Sequence, residues 1–320
     1  DYIYIWSASS RYDGEWKAIG GPYQTGDWQG FEWGESCVLN NGENVPQIYD
    51  PANGIFTDLP KWGLISTAED LTNAGSEDET GPSRDVVPKC TWLVPYKGFL
   101  VAGGVTESGT YGQNTVWWSN ATSRAGFQPS TNGTGGPPDW DYESPGSLSG
   151  KAEVGVGDGA LTWAAVRNEN LICYTTGSAT SMQAVGGSLV MDFRRLFQKG
   201  CAYLNLTCEY NNMHFVASSE ELYIHDGSTV KQIAKDRVED EFFRRAGKGG
   251  RFGGNSLDFT TMQVIKNPDR KEISVLFDAA LDQIPPLEGM PVLEDVTATL
   301  IYAEEDDALD TRFPDGKIWV

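Results

Sequence analysis

The two histidines of this chain are the residues best suited to acid–base chemistry. His214 lies in the segment HFVASS and is followed by Ser218 and Ser219. His225 lies beside Asp226 in the segment YIHDGS. Serine, histidine and aspartate together can make a nucleophile, so these segments are the natural place to look for one. Their local patterns favour simpler roles: we predict a packed strand residue at His214 and a solvent-exposed turn residue at His225.

Paired carboxylates are a second possible source of chemistry, because glycoside hydrolases work with two acids across a sugar cleft. Asp139 and Asp141 form one such pair, and residues 304–307 form an acidic run. Acid pairs carry little information in a chain with 45 Asp and Glu residues. The segment RYDGEW resembles the Asp-box turn of sialidases only in its D-G-x-W core, residues 13–16, and that box is itself a structural turn.

Motifs for metals and cofactors are missing from the sequence. The five cysteines include no CxxC pair, and only two histidines accompany them, so no zinc site is expected. There is no EF-hand loop and no GxSxG, HExxH or Walker-type motif, and the glycines of GKGGRFGG lack the strand–loop–helix setting of a phosphate cradle. We therefore predict free thiols and a protein that is not an enzyme, with no catalytic, cofactor-binding or metal-binding residues.

The chain is strongly acidic, with 24 Lys and Arg against 45 Asp and Glu and a formal net charge of −21. Such a surface repels phosphate backbones, so tight binding to nucleic acid is disfavoured. A net charge of this size keeps a protein soluble. An acidic surface along a channel would also allow DNA to move through it without binding. No segment approaches the roughly 18 apolar residues that span a bilayer, so membrane insertion is not expected.

Short apolar runs bounded by Gly, Asn, Asp, Ser and Pro recur along the chain and predict β-strands. The runs FLVAGG, LICYTTG and HFVASS each carry small residues, and each is followed by a turn and a more polar, aromatic strand. The predicted strand centres are Val38, Leu100, Ile172, Phe215 and Val275. Their spacings of 43 to 72 residues are too irregular for a solenoid, whose repeats have near-constant length.

This repeat predicts an all-β fold, a β-propeller of about five to seven blades with long inter-strand loop insertions. A β-sandwich with jelly-roll connections is the alternative architecture. One or two short helices are expected, at 234–246 and at 190–200. We predict one domain over residues 1–320, with insertions near 67–86, 129–151 and 244–256. The sequence is also compatible with a fragment of a longer chain.

A strand-to-turn pattern occurs twice, in YIWSASSR and in VWWSNATSR. In each, strand-forming residues and a Trp-Ser pair lead into a polar run. We predict equivalent corners of two blades, in which Trp6 and Trp118 pack between blades and the serines satisfy the backbone of the turn.

Several segments, taken in order, resemble the β-propeller virion proteins of tailed bacteriophages, the tail hub or nozzle class found below the portal and adaptor. They are CVLNNGENVPQIYDPANGIF (37–56), KGFLVAGGVTESGTYGQNTVWWSNATSRAGFQP (97–129), PPDWDY (137–142) and HFVASSEELYIHDGSTVKQIAKDRVEDEFF (214–243). The resemblance covers residues 37–56, 89–142 and 190–277, and the order of the segments is a stronger signal than any one motif. The acidic insertion at 67–86 departs from the family pattern.

The resemblance implies a structural protein of a short tail, located in the virion and assembled in the bacterial host cytoplasm. It would form a ring, commonly a hexamer, around the DNA channel and take part in DNA retention and ejection. Its partners would be copies of itself, the adaptor and other tail proteins, and double-stranded DNA that passes without specific binding. The candidate contact residues are Trp117, Trp118, Arg244, Arg245, Lys248 and Arg251, and the two tryptophans are also candidates for the blade core.

Two other classes of protein fit the same composition. A carbohydrate-binding or host-receptor-binding propeller would use exposed rings among the 11 Trp and 13 Tyr as stacking platforms. A sialidase-like glycoside hydrolase would need a cleft where acids or arginines converge. Binding to a glycan array would distinguish the first class from a tail component. Turnover of polysaccharides would distinguish the second class from a tail component.

Overall fold

The chain forms β-strands throughout the part that the computed structural model describes. The described residues are 2–8, 14–34, 36–51, 53–62, 88–107, 110–121, 140–143, 146–186, 189–233, 243, 259–267, 272–279, 296–303, 308–312 and 318–319. They include strands and turns but no α-helix, which confirms the all-β prediction for these residues. Within these ranges there is accordingly no helix long and apolar enough to cross a membrane.

The strands form six sheets in which each strand pairs with its neighbour in the sequence. The first sheet is a hairpin of β1 (Ile3–Ala8) and β2 (Gly14–Gly20). The second contains β3 (Gln29–Trp33), β4 (Ser36–Asn40), β5 (Gln47–Asp50) and β6 (Ile55–Asp58), and the third β7 (Lys89–Tyr96), β8 (Phe99–Glu107), β9 (Thr110–Trp118) and β10 (Gly150–Glu153).

The remaining three sheets repeat this order. The fourth contains β11 (Leu161–Arg167), β12 (Asn170–Thr175), β13 (Ala179–Ala184) and β14 (Met191–Phe197). The fifth contains β15 (Thr207–Tyr210), β16 (Met213–Ala217), β17 (Leu222–His225) and β18 (Val230–Gln232). The sixth contains β19 (Gln263–Asn267), β20 (Glu272–Ala279), β21 (Val296–Ala303), β22 (Ala308–Arg312) and β23 (Ile318–Trp319).

The predicted strand centres all lie on the second strand of a sheet. Val38, Leu100, Ile172, Phe215 and Val275 belong to β4, β8, β12, β16 and β20. Each side chain is buried, because the faces of these strands pack into the hydrophobic cores of the protein. The repeat predicted from the sequence is therefore a repeat of sheets.

Small residues in the second strands make room for large neighbours. β8 is buried from Phe99 to Val105, as expected for a strand covered on both faces. A Cβ at Gly103 would overlap the indole ring of Trp92, its partner on β7. Gly104 has a positive φ of 63° at the irregular register between β8 and β9, where other residues are strained.

The chain divides into two compact units, each with its own core. Unit 1 comprises Asp1–Val156 and Ala184–Asp192, and unit 2 comprises Gly157–Gln183 and Phe193–Val320. The core of unit 1 includes Trp33, Val38, Ile48, Leu100, Trp117 and Trp140, and that of unit 2 includes Ile172, Tyr174, Phe215, Tyr223 and Val275. The prediction of one domain over residues 1–320 stays a prediction.

Within each unit, successive sheets pack through their first strands, except that the first two sheets meet through β2 and β6. In unit 1, β3 lies against β7, and in unit 2 β11 lies against β15 and β15 against β19. Amide side chains reinforce the first of these junctions: Gln29 donates a hydrogen bond to the carbonyl of Thr91 (2.8 Å), and Asn40 donates to that of Cys90 (3.1 Å). Three of these junctions thus use the same position of the sheet, and the junction between the first two sheets uses their last strands.

The short helix predicted at 190–200 is wrong, because residues 191–197 form the strand β14. Met191 and Phe193 are more buried than Asp192 and Arg194 between them, which is the two-residue period of a strand. Pairing with β13 therefore outweighs the helical charge pattern of this segment. The second predicted helix, at 234–246, lies outside the described residues except for Phe243.

The two Trp-Ser segments are not equivalent corners. Trp118 ends β9, and Ser119 follows it as predicted: its hydroxyl accepts a hydrogen bond from the amide of Leu100 (2.9 Å). Trp6 and Ser7 lie inside β1, opposite Trp16 and Glu15 of β2. The resemblance between the two segments is therefore local.

The predicted insertions lie mostly outside the described residues. This holds for all of 67–86 and 244–256, and for 129–139 and 144–145 within the insertion at 129–151. The described end of the insertion at 129–151 contributes to the fold, since Trp140 is buried in the core of unit 1 and Gly150 begins β10.

Candidate functional site

Both histidines of the chain meet in the interior of unit 2. His214 on β16 is the cross-strand partner of His225 on β17, so the two side chains leave the same face of the sheet. Tyr174 on β12 approaches them from the neighbouring sheet. The ring centroids of the histidines are 5.4 Å apart, and that of Tyr174 lies about 6 Å from each. We call these three residues the Tyr–His cluster.

Hydrogen bonds join the cluster into one continuous line. The hydroxyl of Tyr174 lies 2.7 Å from Nδ1 of His214 and 2.6 Å from Nε2 of His225. At one end the amide of Gly227 donates to Nδ1 of His225 (3.1 Å), and at the other Nε2 of His214 lies 3.1 Å from the carbonyl oxygen of Val166.

The two backbone groups at the ends determine which atom donates and which accepts in each hydrogen bond of this line. A backbone amide only donates, so Nδ1 of His225 accepts and Nε2 carries the proton. A carbonyl oxygen only accepts, so Nε2 of His214 donates and Nδ1 accepts. The hydroxyl of Tyr174 then accepts from His225 and donates to His214. Both imidazoles are therefore neutral, with the proton on Nε2, and every polar atom along the line has a partner.

Burial and nearby charge keep the two imidazoles neutral. Burial lowers the pKa of His214 to about 4, although its hydrogen bond to Val166 acts in the opposite direction. Burial, the neighbouring His214 and the charge of Arg167 lower the pKa of His225 to about 3. Arg167 is held beside the cluster by a hydrogen bond to the carbonyl of Asn212 (2.9 Å).

The cluster is closed to substrates. His214, Tyr174 and His225 are 0%, 0% and 1% exposed, so no external molecule reaches their polar atoms. They link β11 and β12 to β16 and β17, which makes the cluster a polar connection between two sheets of unit 2. A buried, fully hydrogen-bonded network of this kind specifies one packing arrangement, because any shift leaves a polar atom without a partner.

The structure confirms one of the two predictions made for the histidines. His214 is a packed strand residue, as predicted. The prediction of an exposed turn residue at His225 is wrong: the turn begins after it, and Asp226 instead accepts hydrogen bonds from the amides of Ser228 and Thr229. Ser218 is engaged in its own turn, where its hydroxyl accepts from the amide of Glu221 (3.0 Å) and donates to the carbonyl of Glu221 (2.9 Å).

The stability of the protein should depend on pH through this cluster. Both pKa values are lower in the folded protein than the roughly 6.5 of an unfolded histidine, so the unfolded chain takes up protons first as the pH falls. We expect this contribution to be fully present above pH 6.5 and to be lost below it, by up to about 1.4 kcal/mol per pH unit for each histidine. The loss should end near pH 4 for His214 and pH 3 for His225.

Urea unfolding at pH 7, 6 and 5 measures this dependence, with the variant His225→Gln as the comparison. The variant lacks one titrating group but keeps a polar side chain, so its free energy of unfolding should fall less steeply below pH 6.5. A variant slope equal to that of the natural sequence would contradict the role given to His225.

The candidate contact residues are divided between the core of unit 1 and a segment that is not described. Trp117 is 1% exposed, and its ring centroid lies 5.9 Å from those of Trp62, Trp140 and Tyr142. Trp118 is buried and donates a hydrogen bond to the carbonyl of Leu148 (2.9 Å). Both occupy the core position that the sequence offered as their other role. Arg244, Arg245, Lys248 and Arg251 lie outside the described residues.

The acidic candidates do not assemble into a site within the described part of the chain. Asp141 is buried, and its side chain accepts a hydrogen bond from the amide of Glu143 (3.0 Å). Its predicted partner Asp139 and the acidic run 304–307 lie outside the described residues, as does Asp13 of the Asp-box-like segment. No group of three or more His, Cys, Asp or Glu side chains with metal-binding geometry occurs among the residues described. All five cysteines are free thiols.

Comparisons with known proteins give little guidance. No family model and no curated protein matches the chain. Among solved structures, the crystal structure of the "extracellular domain of the putative one component system" from B. thetaiotaomicron is similar over 98% of this chain and 58% of that chain, with 11% sequence identity and a TM-score of 0.22. A TM-score this low carries no argument about fold or function.

Proposed function

We propose that the sheets of this protein are the blades of a β-propeller. The observation that carries the proposal is the repeated use of first strands in three of the four junctions between successive sheets within the units: β3 lies against β7, β11 against β15 and β15 against β19, whereas the first two sheets meet through β2 and β6. In a propeller the first strand of every blade lies innermost, next to the first strand of the following blade. The strand order also favours it, because each sheet is a meander, whereas jelly-roll connections cross between two sheets. The described residues form six sheets, one of them a two-stranded hairpin, and this number is compatible with the five to seven blades predicted from the sequence.

We propose further that the protein is a structural component of a short bacteriophage tail, the hub or nozzle class that its sequence resembles. The polar groups best placed for chemistry are buried as a connection between sheets, which suits a scaffold better than a reaction centre. Copies of the chain would assemble side by side into a ring, commonly a hexamer, through interfaces in which two different surfaces meet. The adaptor and other tail proteins would bind the two ends of this ring.

The acidic charge suits a channel through which DNA moves. Proteins hold DNA by neutralising phosphates with Lys and Arg and releasing the counterions. A net charge of −21 provides few such contacts, so double-stranded DNA would be retained or ejected without adhering to the wall.

Electron microscopy of phage particles labelled with an antibody against this chain tests the tail assignment. We expect label on the tail axis, and a purified assembly whose native mass is six times the 35.0 kDa of the chain, or another small multiple. Unlabelled particles, together with a monomer that binds sugars on a glycan array, would contradict the assignment and favour a carbohydrate-binding propeller.

A further inference from the structure

A cavity of about 560 Å³ lies on the surface of unit 1, between the end of β2 and the strands β5 and β6. Three aromatic residues line it: Tyr2, Tyr23 and Phe56. Gln47 and Asp58 supply its polar side. Tyr2 is 52% exposed, so the cavity is open to solvent along the edge that this ring forms.

The polar side of the cavity is organised by a buried glutamine. Gln47 is 4% exposed, and its Nε2 donates to the carbonyl of Val45 (2.8 Å) and to Oδ1 of Asp58 (2.7 Å). Its Oε1 accepts a hydrogen bond from the hydroxyl of Tyr23 (3.1 Å). Both N–H groups of the amide are therefore used inside the protein, and Gln47 holds the other two side chains in place.

Asp58 gives the cavity a negative charge that its surroundings do not neutralise. Its side chain is exposed, and Oδ2 forms no hydrogen bond or ion pair with the residues that the structure describes. No Lys, Arg or His is among the described residues that line the cavity. Burial and then the charge of Asp58 raise the pKa of Tyr23, as expected when a carboxylate lies close to a phenol.

The aromatic side of the cavity is held by close packing. A Cβ at Gly20 would come within 2.6 Å of the hydroxyl of Tyr23 and 3.1 Å of Cβ of Phe56, so glycine allows these residues to approach the strand. Tyr23 packs edge-on against Trp28, with 5.3 Å between ring centroids, and Phe56 packs against Tyr49 at 5.4 Å. The rings of Tyr23 and Phe56 are therefore in place before any ligand enters.

We propose that this cavity binds an arginine side chain of a protein partner. The aromatic rings would stack against the planar guanidinium, which is attracted to the faces of such rings. Oδ2 of Asp58 would accept a hydrogen bond from its N–H groups and pair with its charge. The arginine would come from a basic surface, because a chain with a net charge of −21 attracts basic partners from a distance.

The charge of Asp58, in a cavity whose described lining contains no Lys, Arg or His, favours a cation over a neutral sugar. A sugar hydroxyl both donates and accepts, and sugar sites therefore offer donors as well as acceptors. In this cavity the amide of Gln47 donates only within the protein, and the hydroxyl of Tyr23 donates to Gln47. Among the described residues, the polar side chains left to bind a ligand are the hydroxyls of Tyr2 and Thr57 and the carboxylate of Asp58, and Asp58 is the one that carries a charge.

Titration of the protein with the peptide acetyl-Gly-Arg-Gly-amide, followed by NMR shifts of isotope-labelled tyrosine and phenylalanine, tests this proposal. The matched probe is the same peptide with citrulline, which has the shape of arginine without its charge. We expect the arginine peptide to shift the signals of the cavity rings, and we expect its affinity to be about fivefold higher than that of the citrulline peptide.

Two variants that each remove one negative charge complete the test. Asp58→Asn keeps an oxygen that accepts from Gln47, so the cavity should remain intact while the affinity for the arginine peptide falls about fivefold. Glu153→Gln, on the exposed side of β10, should leave the affinity unchanged. Equal binding of the citrulline peptide, equal loss in both variants, or no shift of the cavity rings would overturn the proposal. None of these outcomes depends on the tail assignment.

Discussion

Replacing Tyr174 by phenylalanine should lower the free energy of unfolding of unit 2 by about 2 to 6 kcal/mol. The ring and its packing are kept, and only the hydroxyl at the centre of the Tyr–His cluster is lost. Nε2–H of His225 and Nδ1 of His214 are then both left without a partner in a site closed to water. Each unsatisfied buried group costs about 1 to 3 kcal/mol, so the loss of one oxygen has a double effect.

The matched control is Tyr223→Phe, in the same unit. The hydroxyl of Tyr223 is also buried and donates to the carbonyl of Gly200 (3.0 Å), but it does not bridge two side chains. We expect a cost of about 1 kcal/mol for this variant in urea unfolding followed by circular dichroism. If Tyr174→Phe costs no more than Tyr223→Phe, the cluster is not the connection between sheets that the geometry indicates.

Replacing Trp117 by alanine should destabilise unit 1 by about 3 to 5 kcal/mol. Its indole is buried among Trp62, Trp140 and Tyr142, and the rigid strands around it cannot close the cavity that alanine would leave. Urea unfolding followed by tryptophan fluorescence measures the loss. A cost below about 1 kcal/mol would mean that the ring is not part of a close-packed core.

The variant Trp117→Phe distinguishes a role of Trp117 in core packing from a role in contact with a partner chain. The indole Nε1 of Trp117 has no hydrogen-bond partner among the described residues, so phenylalanine removes volume but no hydrogen bond. We expect it to cost less than half as much as alanine and to leave the native mass of the assembly unchanged. A normally stable Trp117→Phe protein that no longer assembles would instead identify Trp117 as an interface residue.

The repeat of the fold could be predicted because its signal is local. A second strand is covered on both faces, so it appears in the sequence as a short apolar run with small residues, as around Leu100 and Ile172. The same run recurs once in each of five sheets, and its spacing varies only because the connecting loops differ in length. The first and last strands of the sheets carry weaker patterns, and the charge pattern of β14 therefore predicts a helix where the structure has a strand.

The Tyr–His cluster and the cavity could not be predicted because they depend on contacts between distant residues. Tyr174 lies 40 residues from His214 and 51 from His225, and nothing in the segment NLICYT indicates a partner. His225 precedes an Asp-Gly turn, and its position next to that turn suggested exposure. In fact its cross-strand partner His214 and the adjacent sheet cover it. Gln47 and Asp58 lie on neighbouring strands and are joined only when β5 pairs with β6.

A density map of the purified protein that separates individual strands tests the central claim most directly. We expect the first strands β3, β7, β11, β15 and β19 to surround a common axis, with each sheet extending outward from it as a blade. Two sheets packed face to face, with these five strands dispersed between them, would contradict the propeller and remove the basis for a ring around DNA.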